Sequence, residues 1–221
     1  MYNVLLTGGS KGIGNAIKKK FVESGYNVYA PTHQELDLEN KKSIESYIRN
    51  NREITFDVLI NNAGINDINT IEDVSDDEME RMFQVNLFAP IQLIKGFVGK
   101  MKQKHAGRIV NISSIWSVVS KRGRSIYAAT KHGIHGVTNT LAIELAPYNI
   151  LVNTVCPGFT LTELTLKNNS KEQISEISRE IPLGRMANTN EIAEVVFFLG
   201  SMNNTYLTGQ KIIVDGGFTC K

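Results

Sequence analysis

The chain has 221 residues, 42% of them hydrophobic, and no stretch rich in Pro, Gly or Ser divides it. This length can bury a substantial core, and we expect one domain over residues 1–221. The formal net charge of +2, from 24 basic and 22 acidic residues, gives no reason to expect a nucleic acid or a membrane surface as a partner.

Short apolar runs alternate with longer segments of helical period, the pattern of parallel strands joined by crossover helices. The predicted strands are Asn3–Leu6, Asn27–Ala30, Phe56–Ile60, Arg108–Ile112, Ile150–Val155 and Lys211–Val214, and the predicted helices are Ile13–Ser24, Lys41–Asn50, Asp76–Lys104, Ser125–Leu145 and Asn190–Gly200. Several strands are almost wholly apolar, as strands covered on both faces must be. The sequence predicts an α/β fold with a doubly wound parallel sheet in the middle of three layers.

The interval after the second strand is too short for a complete sheet. That strand ends near Ala30 or Pro31, and Leu36-Asp37-Leu38 follows after about five residues, whereas a parallel crossover needs roughly a dozen or more. We therefore predict that the third edge strand and its helix are shortened or missing.

A glycine-rich turn, Thr7 to Gly14, follows the first strand and opens into a helix. Glycines allow a tight turn and a close approach to a pyrophosphate, and the helix N-terminus offers it unpaired N–H groups. The turn predicts a bound dinucleotide, contacted by Gly8, Ser10, Lys11, Gly12, Ile13 and Gly14.

The end of the second strand bears on the choice between cofactors. A carboxylate there would accept hydrogen bonds from the adenosine ribose and repel a 2′-phosphate, but the segment from Ala30 to Glu35 has no acid at the strand end. Lys11 in the glycine turn is near the expected place of a 2′-phosphate. We favour NADP(H) over NAD(H); Glu35 could fold back onto the ribose, which keeps NAD(H) open.

Tyr127 and Lys131 stand four residues apart in a predicted helix and follow Ser114. At this spacing their side chains lie on one face, so an ammonium can lower the pKa of the phenol from about 10 toward working pH. The pair predicts a phenol that serves as an acid.

Several motifs follow one another in a recognisable order. They are the glycine turn, Asn61-Asn62-Ala63-Gly64, Asn86, Ser114, Tyr127 with Lys131, Pro157-Gly158, Thr208-Gly209-Gln210 and Val214-Asp215-Gly216-Gly217. With them the chain, from Leu5 to Gly217, resembles the short-chain dehydrogenase/reductase family, and within it members like the 3-oxoacyl-[acyl-carrier-protein] reductases. The resemblance implies a Rossmann fold, a nicotinamide cofactor and hydride transfer between a carbonyl and an alcohol. It departs from the family pattern at the short interval after the second strand.

The resemblance implies four catalytic residues. Tyr127 would exchange a proton with the carbonyl oxygen, and Ser114 would hold that oxygen. Lys131 would lower the phenol pKa and bind the nicotinamide ribose, and Asn86 would hold a water that links the lysine to solvent. Ser113 is the rival of Ser114, but the family's spacing to the tyrosine favours Ser114. Taken alone, Ser114 would be a strand-end cap and Asn86 a buried polar residue satisfied by the backbone.

The resemblance also implies contacts along the cofactor. They are Asp37 and Leu38 at the adenine, Asn62, Ala63 and Gly64 at the adenosine ribose, Tyr127 and Lys131 at the nicotinamide, and Pro157, Gly158, Thr160 and Thr162 at its carboxamide. For Asp37, a helix-leading role is the alternative. No metal site is predicted.

The substrate is expected to meet Ser114, Tyr127 and Trp116 beneath a lid formed by residues 159–183. The basic run Lys121-Arg122-Gly123-Arg124 precedes Tyr127 and would favour an anionic or carrier-bound substrate. A basic loop with no role is the alternative, and Trp116 is equally compatible with a packing anchor.

The sequence therefore predicts a nicotinamide-dependent carbonyl reductase or alcohol dehydrogenase, with 3-oxoacyl thioesters and keto-sugars or their nucleotides as leading substrates. The alternatives are a non-catalytic nicotinamide-binding regulator and an isomerase or dehydratase on the same scaffold. A regulator commonly loses the catalytic tyrosine or lysine, and this chain keeps both. The two cysteines, Cys156 and Cys220, and the lack of a long apolar run indicate a cytoplasmic protein. We expect a homo-oligomer, a dimer or more specifically a homotetramer.

Overall fold

A computed structural model describes residues 1–220 of the chain, apart from the side chains of residues 164 and 168. Its strands are β1 (Asn3–Leu6), β2 (Asn27–Tyr29), β3 (Val58–Asn61), β4 (Gly107–Ile112), β5 (Ile150–Pro157), β6 (Thr160–Leu161), β7 (Ala187–Asn188) and β8 (Lys211–Val214). A parallel sheet has the order β2-β1-β3-β4-β5-β8, and β6 pairs with β7 beside it. The carboxyl ends of the sheet strands therefore share one edge.

Helices cover both faces of this sheet. They are α1 (Gly12–Glu23), α2 (Lys41–Asn50), α3 (Asp76–Phe83), α4 (Ala89–Lys104), α5 (Ser125–Leu145), α6 (Glu163–Asn168), α7 (Lys171–Glu180) and α8 (Thr189–Gly200). Alternation along β1 separates two cores: Val4 and Leu6 pack with α1 and α8, whereas Leu5 packs with α2, α4 and α5. The predicted three-layer α/β fold is confirmed. None of the helices in the described residues combines the length and hydropathy needed to cross a membrane.

The predicted gap at the edge of the sheet is confirmed. β2 is the last strand on its side, and residues 30–40 lead directly into α2 without a further strand or helix. Asn40 begins α2 by accepting hydrogen bonds from the N–H groups of Lys42 and Ser43. The chain is too short here for another crossover, as the spacing indicates.

The prediction of one continuous helix over Asp76–Lys104 is wrong. α3 and α4 are separated by a π-helical segment, Gln84–Phe88, which holds Asn86. Pro90 supplies a reason, because it has no N–H to give the carbonyl four residues earlier, that of Asn86, and its ring crowds that oxygen. Widened turns of this kind recur at functional sites. The other predicted helices and strands of the sheet lie within a few residues of the observed ones.

Candidate active site

The glycine turn forms a cradle at the carboxyl end of β1. Gly8 has φ of +69°, and a Cβ there would lie 2.9 Å from Nδ2 of Asn62. A Cβ at Gly14 would lie 1.9 Å from the carbonyl oxygen of Gly8. Lys11 precedes α1 and makes no side-chain cap, so the first N–H groups of the helix stay available to an anion. This geometry fits the pyrophosphate of a dinucleotide.

Thr7 ties the glycine turn to the segment after β3. Its buried hydroxyl accepts hydrogen bonds from the backbone N–H groups of Asn62 and Ala63, both at 3.1 Å. The Asn62 amide in turn donates to the carbonyl oxygens of Thr7 and Gly8, at 3.0 and 3.2 Å. Thr7 is a structural residue of the site that no sequence motif identified, although a polar residue at the end of an apolar strand is a signal for one.

A cavity of about 180 Å³ lies beside this turn, on the side where the sheet lacks a further strand. Its lining includes Ser10, Thr32, His33, Asp37 and Leu38, and so contains both predicted adenine contacts. The Asp37 carboxylate also accepts a hydrogen bond from the N–H of Glu39, at 3.0 Å. Asp37 therefore both faces the cavity and holds the turn before α2.

Glu35 does not line this cavity. Its carboxylate accepts hydrogen bonds from the N–H and the hydroxyl of Thr32, at 2.8 and 2.9 Å, and these two bonds lower its pKa. The acid that could have gripped an adenosine ribose is instead bound to its own turn. Lys11, the predicted neighbour of a 2′-phosphate, is exposed and is not part of the lining either.

A second cavity, of about 340 Å³, brings the predicted catalytic residues together. Ser114 follows β4, whereas Tyr127 and Lys131 lie on α5, and all three line this space. Its wall also contains Ile13, Asn62, Gly64, Trp116, Pro157, Gly158, Thr160 and Thr162. The cavity therefore joins the end of the glycine turn to the predicted nicotinamide segment.

Ser113 and Ser114 differ in what their hydroxyls contact. The Ser113 hydroxyl donates to the carbonyl oxygen of Lys131, at 2.9 Å, and lies 3.1 Å from that of Ser117. The Ser114 oxygen accepts a hydrogen bond from the N–H of Trp116, at 3.2 Å, which leaves its own hydrogen free to be donated. Ser113 thus holds α5 against β4, whereas the Ser114 hydroxyl faces Tyr127 in the cavity, where its hydrogen can be donated to the phenol or to a ligand.

Both polar atoms of the Asn86 side chain have partners within the chain, and the amide oxygen can accept one further hydrogen bond. Its amide oxygen accepts from the N–H of Ile65, at 2.9 Å, and its nitrogen donates to the Ile65 carbonyl at 2.9 Å and to the Thr130 hydroxyl at 3.2 Å. The side chain lies beside Lys131, because a Cβ on Gly64 would approach both at 3.2 and 3.4 Å. Asn86 connects the segment after β3 with α5 behind the lysine.

The ionisation of Tyr127 and Lys131 depends on their burial. Burial raises the pKa of Tyr127, and this outweighs the lowering by the Ser114 hydroxyl and the Arg124 guanidinium. The Lys131 ammonium lies 5.6 Å from the centre of the phenol ring and donates to the carbonyl oxygen of Ile112, at 2.8 Å. Burial lowers its own pKa to about 8. Burial is therefore the dominant influence on the pKa of both groups. The lowering of the phenol pKa by Lys131 stays a prediction.

The predicted nicotinamide segment is held close to β8 and to the glycine turn. A Cβ on Gly158 would lie 2.7 Å from the Cα of Asp215, so only glycine fits there. The Thr162 hydroxyl accepts from the N–H of Thr165, at 3.1 Å, and begins α6. Its methyl group would lie 3.4 Å from a Cβ on Gly12. Thr162 thus meets the start of α1 as well as the cavity.

An aromatic group forms the outer wall of the catalytic cavity. Trp116, Phe159 and Phe218 contact one another edge to face, with centroid distances of 5.3 to 6.3 Å. The Lys121 ammonium lies over the rings of Trp116 and Phe159, at 5.6 and 6.0 Å. Trp116 is therefore both a packing anchor and part of the wall.

The three cations of the basic run face different ways. Lys121 covers the aromatic wall, and Arg122 is exposed in a neighbouring surface cleft. Arg124 alone of the three lines the catalytic cavity. Within residues 1–220, no group of three or more His, Cys, Asp or Glu side chains could hold a metal ion.

Comparison with known proteins gives consistent similarities. Residues 29–219 match the family model described as Enoyl-(Acyl carrier protein) reductase. The chain is 34% identical to the 3-oxoacyl-[acyl-carrier-protein] reductase FabG of Vibrio harveyi, over 96% of this chain and 95% of that protein. Among solved structures, ElxO with NADP bound is 27% identical with a TM-score of 0.93, over 100% of this chain and 99% of that one. A 4-hydroxyisoleucine dehydrogenase complexed with NADH is 29% identical with a TM-score of 0.93, over the whole of both chains.

Proposed function

The chain belongs to the short-chain dehydrogenase/reductase family, and we propose that it reduces a carbonyl substrate with NADPH, using Tyr127 as the proton donor and Ser114 as the holder of the carbonyl oxygen. Its similarities show an NAD(P)-dependent oxidoreductase that acts on a carbonyl or alcohol group. The single observation that carries the proposal is the cavity in which Ser114, Tyr127 and Lys131 meet at the end of the glycine turn.

The fit to a nicotinamide dinucleotide rests on the cradle. The close approach at Gly8 and Gly14 leaves no room for a side chain, and the start of α1 keeps uncapped N–H groups for a phosphate. When bound, the nicotinamide supplies or accepts the hydride. Asn62, Gly158 and Thr162 line the cavity where that ring would reach the catalytic residues.

The proton chemistry belongs to the chain itself. Ser114 donates its remaining hydrogen to the carbonyl oxygen, which fixes that oxygen beside the phenol. Tyr127 then gives its proton to the same oxygen as negative charge develops there. A phenol, with an ordinary pKa of about 10, carries its proton at neutral pH, which suits the direction of reduction.

Lys131 and Asn86 support this step from behind. The Lys131 ammonium is bonded to the Ile112 carbonyl and lies 5.6 Å from the centre of the phenol ring, and it would also meet the nicotinamide ribose. Asn86 holds the segment after β3 against Thr130, one residue before the lysine. We keep the proposal that a water at Asn86 links Lys131 to solvent. Its support is that the two side chains lie close together behind Gly64.

The preference for NADP(H) is supported by the edge of the sheet. Glu35 is bound to Thr32 and does not line the cavity, whereas Ser10 and His33 bring side chains that can donate to a 2′-phosphate there. We expect kcat/KM to be at least about tenfold higher with NADPH than with NADH, which corresponds to one extra contact of about 1.4 kcal/mol. A tenfold preference for NADH would contradict this assignment.

The remaining proposals concern the substrate and the assembly. A 3-oxoacyl thioester is supported by the similarity to FabG, and a keto-sugar remains a second class. We propose that residues 159–183, which contain α6 and α7, form the lid over the substrate.

Exposed apolar side chains on α5, α8 and β8 support a homotetramer: Ile143, Phe198 and Ile213. The composition, with two unpaired cysteines, supports the cytoplasm.

A substrate panel tests the reaction class. Purified full-length protein is mixed with NADPH or NADH and with 3-oxoacyl thioesters, keto-sugars and simple ketones, and loss of the reduced-nicotinamide absorbance is followed. We expect turnover of at least one class. If NADPH binds while no carbonyl is reduced and no alcohol is oxidised, the protein is a cofactor-binding regulator and the proposal is wrong.

A further inference from the structure

Arg124 is a half-buried cation in which two guanidinium nitrogens have no hydrogen-bond partner. It lies immediately before α5, and its backbone carbonyl accepts from the N–H of Ala128 at 2.7 Å. Within the described part of the chain, its Nε and Nη1 atoms are shielded from solvent and have no hydrogen-bond partner. Buried polar groups are nearly always paired, so two shielded and unpaired guanidinium nitrogens are costly. The Arg124 side chain also lines the catalytic cavity, and an acceptor on a ligand there would pair these nitrogens once the side chain turns toward it.

The charges around the catalytic cavity do not compensate Arg124. Its lining in the described residues contains two charged side chains, Arg124 and Lys131, and no carboxylate. Lys131 donates a hydrogen bond to the Ile112 carbonyl, whereas Arg124 has two nitrogens without a partner. Glu72 and Arg124 both line a neighbouring surface cleft, yet these two side chains form no ion pair. The cavity therefore carries positive charge next to Tyr127.

We infer that Arg124 binds a carboxylate of the substrate, and that the substrate is an oxo acid whose product is the corresponding hydroxy acid. This inference rests on the proposed function, because Ser114 and Tyr127 must hold the carbonyl oxygen in the same cavity. The carbonyl carbon gains the hydride given up by NADPH, which is oxidised to NADP⁺, and the carbonyl oxygen gains the Tyr127 proton. The carboxylate is unchanged on both sides of the reaction.

The chemistry of the wall favours an acid over a neutral thioester. A guanidinium matches a carboxylate geometrically, and such charged hydrogen bonds are about twice as strong as neutral ones. A thioester would bring only a carbonyl dipole and would leave the cavity charge uncompensated. Trp116 and Phe159 offer an apolar surface for the hydrocarbon part of the molecule. A carboxylate with a short apolar chain satisfies both features.

Matched acids and esters test the inference by turnover. The probes are straight-chain 2-, 3- and 4-oxo acids, each with its methyl ester, and the readout is NADPH oxidation. The wild-type chain should favour at least one acid over its ester by about tenfold or more, as one charged hydrogen bond allows. Arg124→Gln should remove this preference by lowering kcat/KM for the acid, chiefly through KM, while the ester changes little.

Two further variants control for charge and position. Arg124→Lys keeps the cation and should restore part of the acid preference. Arg122→Gln removes a neighbouring exposed cation that does not line the cavity, and it should leave the acid-to-ester ratio unchanged. Equal loss of the acid and the ester in Arg124→Gln, or equal loss of the ratio in Arg122→Gln, would overturn the inference.

A binding measurement separates this inference from the proposed function. Hexanoate and its methyl ester are titrated by calorimetry into the chain saturated with NADP⁺, for the wild type and for Arg124→Gln. Hexanoate should bind the wild type and not the variant, even if none of the oxo compounds is turned over. If esters and acids are reduced equally well, the oxidoreductase assignment stands and the carboxylate role of Arg124 is wrong. If no compound is reduced and hexanoate binds both proteins alike, both conclusions fail.

Discussion

Two walls of the catalytic cavity contain the same kinds of polar side chain in opposite states. On one wall, the Ser113 hydroxyl is bonded to the Lys131 carbonyl, and behind the lysine Asn86 and Thr130 use their polar atoms on neighbouring backbone and side-chain groups. On the other wall, Ser114 keeps a hydrogen to donate and Arg124 keeps two unpaired nitrogens. Residue type does not distinguish the structural side chains from the catalytic ones, but the presence or absence of hydrogen-bond partners within the chain does.

The same contrast separates the cofactor turn into two parts. Thr7 and Asn62 are satisfied by each other and by the backbone, and they hold β1 and β3 at a fixed distance. The start of α1 has no side-chain cap and keeps its N–H groups for a ligand. We therefore expect changes in the satisfied residues to lower stability first, and changes in the unsatisfied ones to lower activity first.

The largest expected effect comes from the unsatisfied wall. Tyr127→Phe removes the proton donor and should lower kcat by about 10²- to 10⁴-fold, the usual range for general acid catalysis. The Kd for NADPH, followed by fluorescence, should change by less than about threefold, since the ring remains. Activity above one tenth of wild type would mean that another group donates the proton. The assignment of Tyr127 as the proton donor would then be wrong.

Lys131 is hydrogen-bonded within the chain and also lies beside the phenol, so its substitution should change both activity and stability. Lys131→Met should lower kcat by about 10²-fold, because a charge beside the phenol is removed. The folded pKa is lowered by burial to about 8, whereas an unfolded lysine keeps its proton to about 10.4. Between these pH values the unfolded wild type binds more protons than the folded one, so folded wild type gains stability as pH rises.

The linkage is measured as the difference in unfolding free energy between the wild type and Lys131→Met, from urea titrations at pH 7, 8, 9 and 10. We expect the wild type to gain on the variant between about pH 8 and 10, and the difference to be constant below pH 8. The use of a difference cancels the other lysines. A difference that falls over the same range would show that the ammonium is stabilised rather than destabilised by its site.

Thr7 sharpens the comparison on the structural side. Thr7→Val removes the acceptor of two buried N–H groups, those of Asn62 and Ala63, and should lower the unfolding free energy by about 1–3 kcal/mol. Thr140→Val is the matched control, because Thr140 is exposed on α5 and bonds only its own helix, so its effect should stay within about 0.5 kcal/mol. Equal effects in the two variants would remove the assigned role of Thr7.

Much of the fold could be predicted from the sequence because its signals are local. Apolar runs located the strands, and the short spacing from β2 to α2 predicted the missing edge. The break between α3 and α4 was missed although Pro90 signals it, since the apolar period continues across the π segment. The assumption of one regular helix hid the cost of a proline at that place.

The sequence predicted which residues form the site, but not their burial or the direction of their pKa shifts. Ser114, Tyr127 and Lys131 meet as expected, because strand ends and one helix face bring them together. The pKa of Tyr127 depends on how deeply the surrounding wall buries it, which no local motif encodes. The basic run likewise predicted cations near the cavity, but only packing determines that Arg124 lines the cavity while Arg122 is exposed.

The adjacent serines give the most direct test of the central contrast, because they differ in partners and in little else. Ser113→Ala and Ser114→Ala are compared in kcat/KM with NADPH and in Tm without cofactor. The account predicts that Ser114→Ala loses about 10²-fold or more in kcat/KM, and that its Tm falls less than that of Ser113→Ala, because only the hydrogen bond from the Trp116 N–H is lost. It predicts that Ser113→Ala lowers Tm by several degrees, as the loss of about 1 kcal/mol implies, and keeps most of its activity. The reverse pattern, or equal losses in both variants, would contradict it.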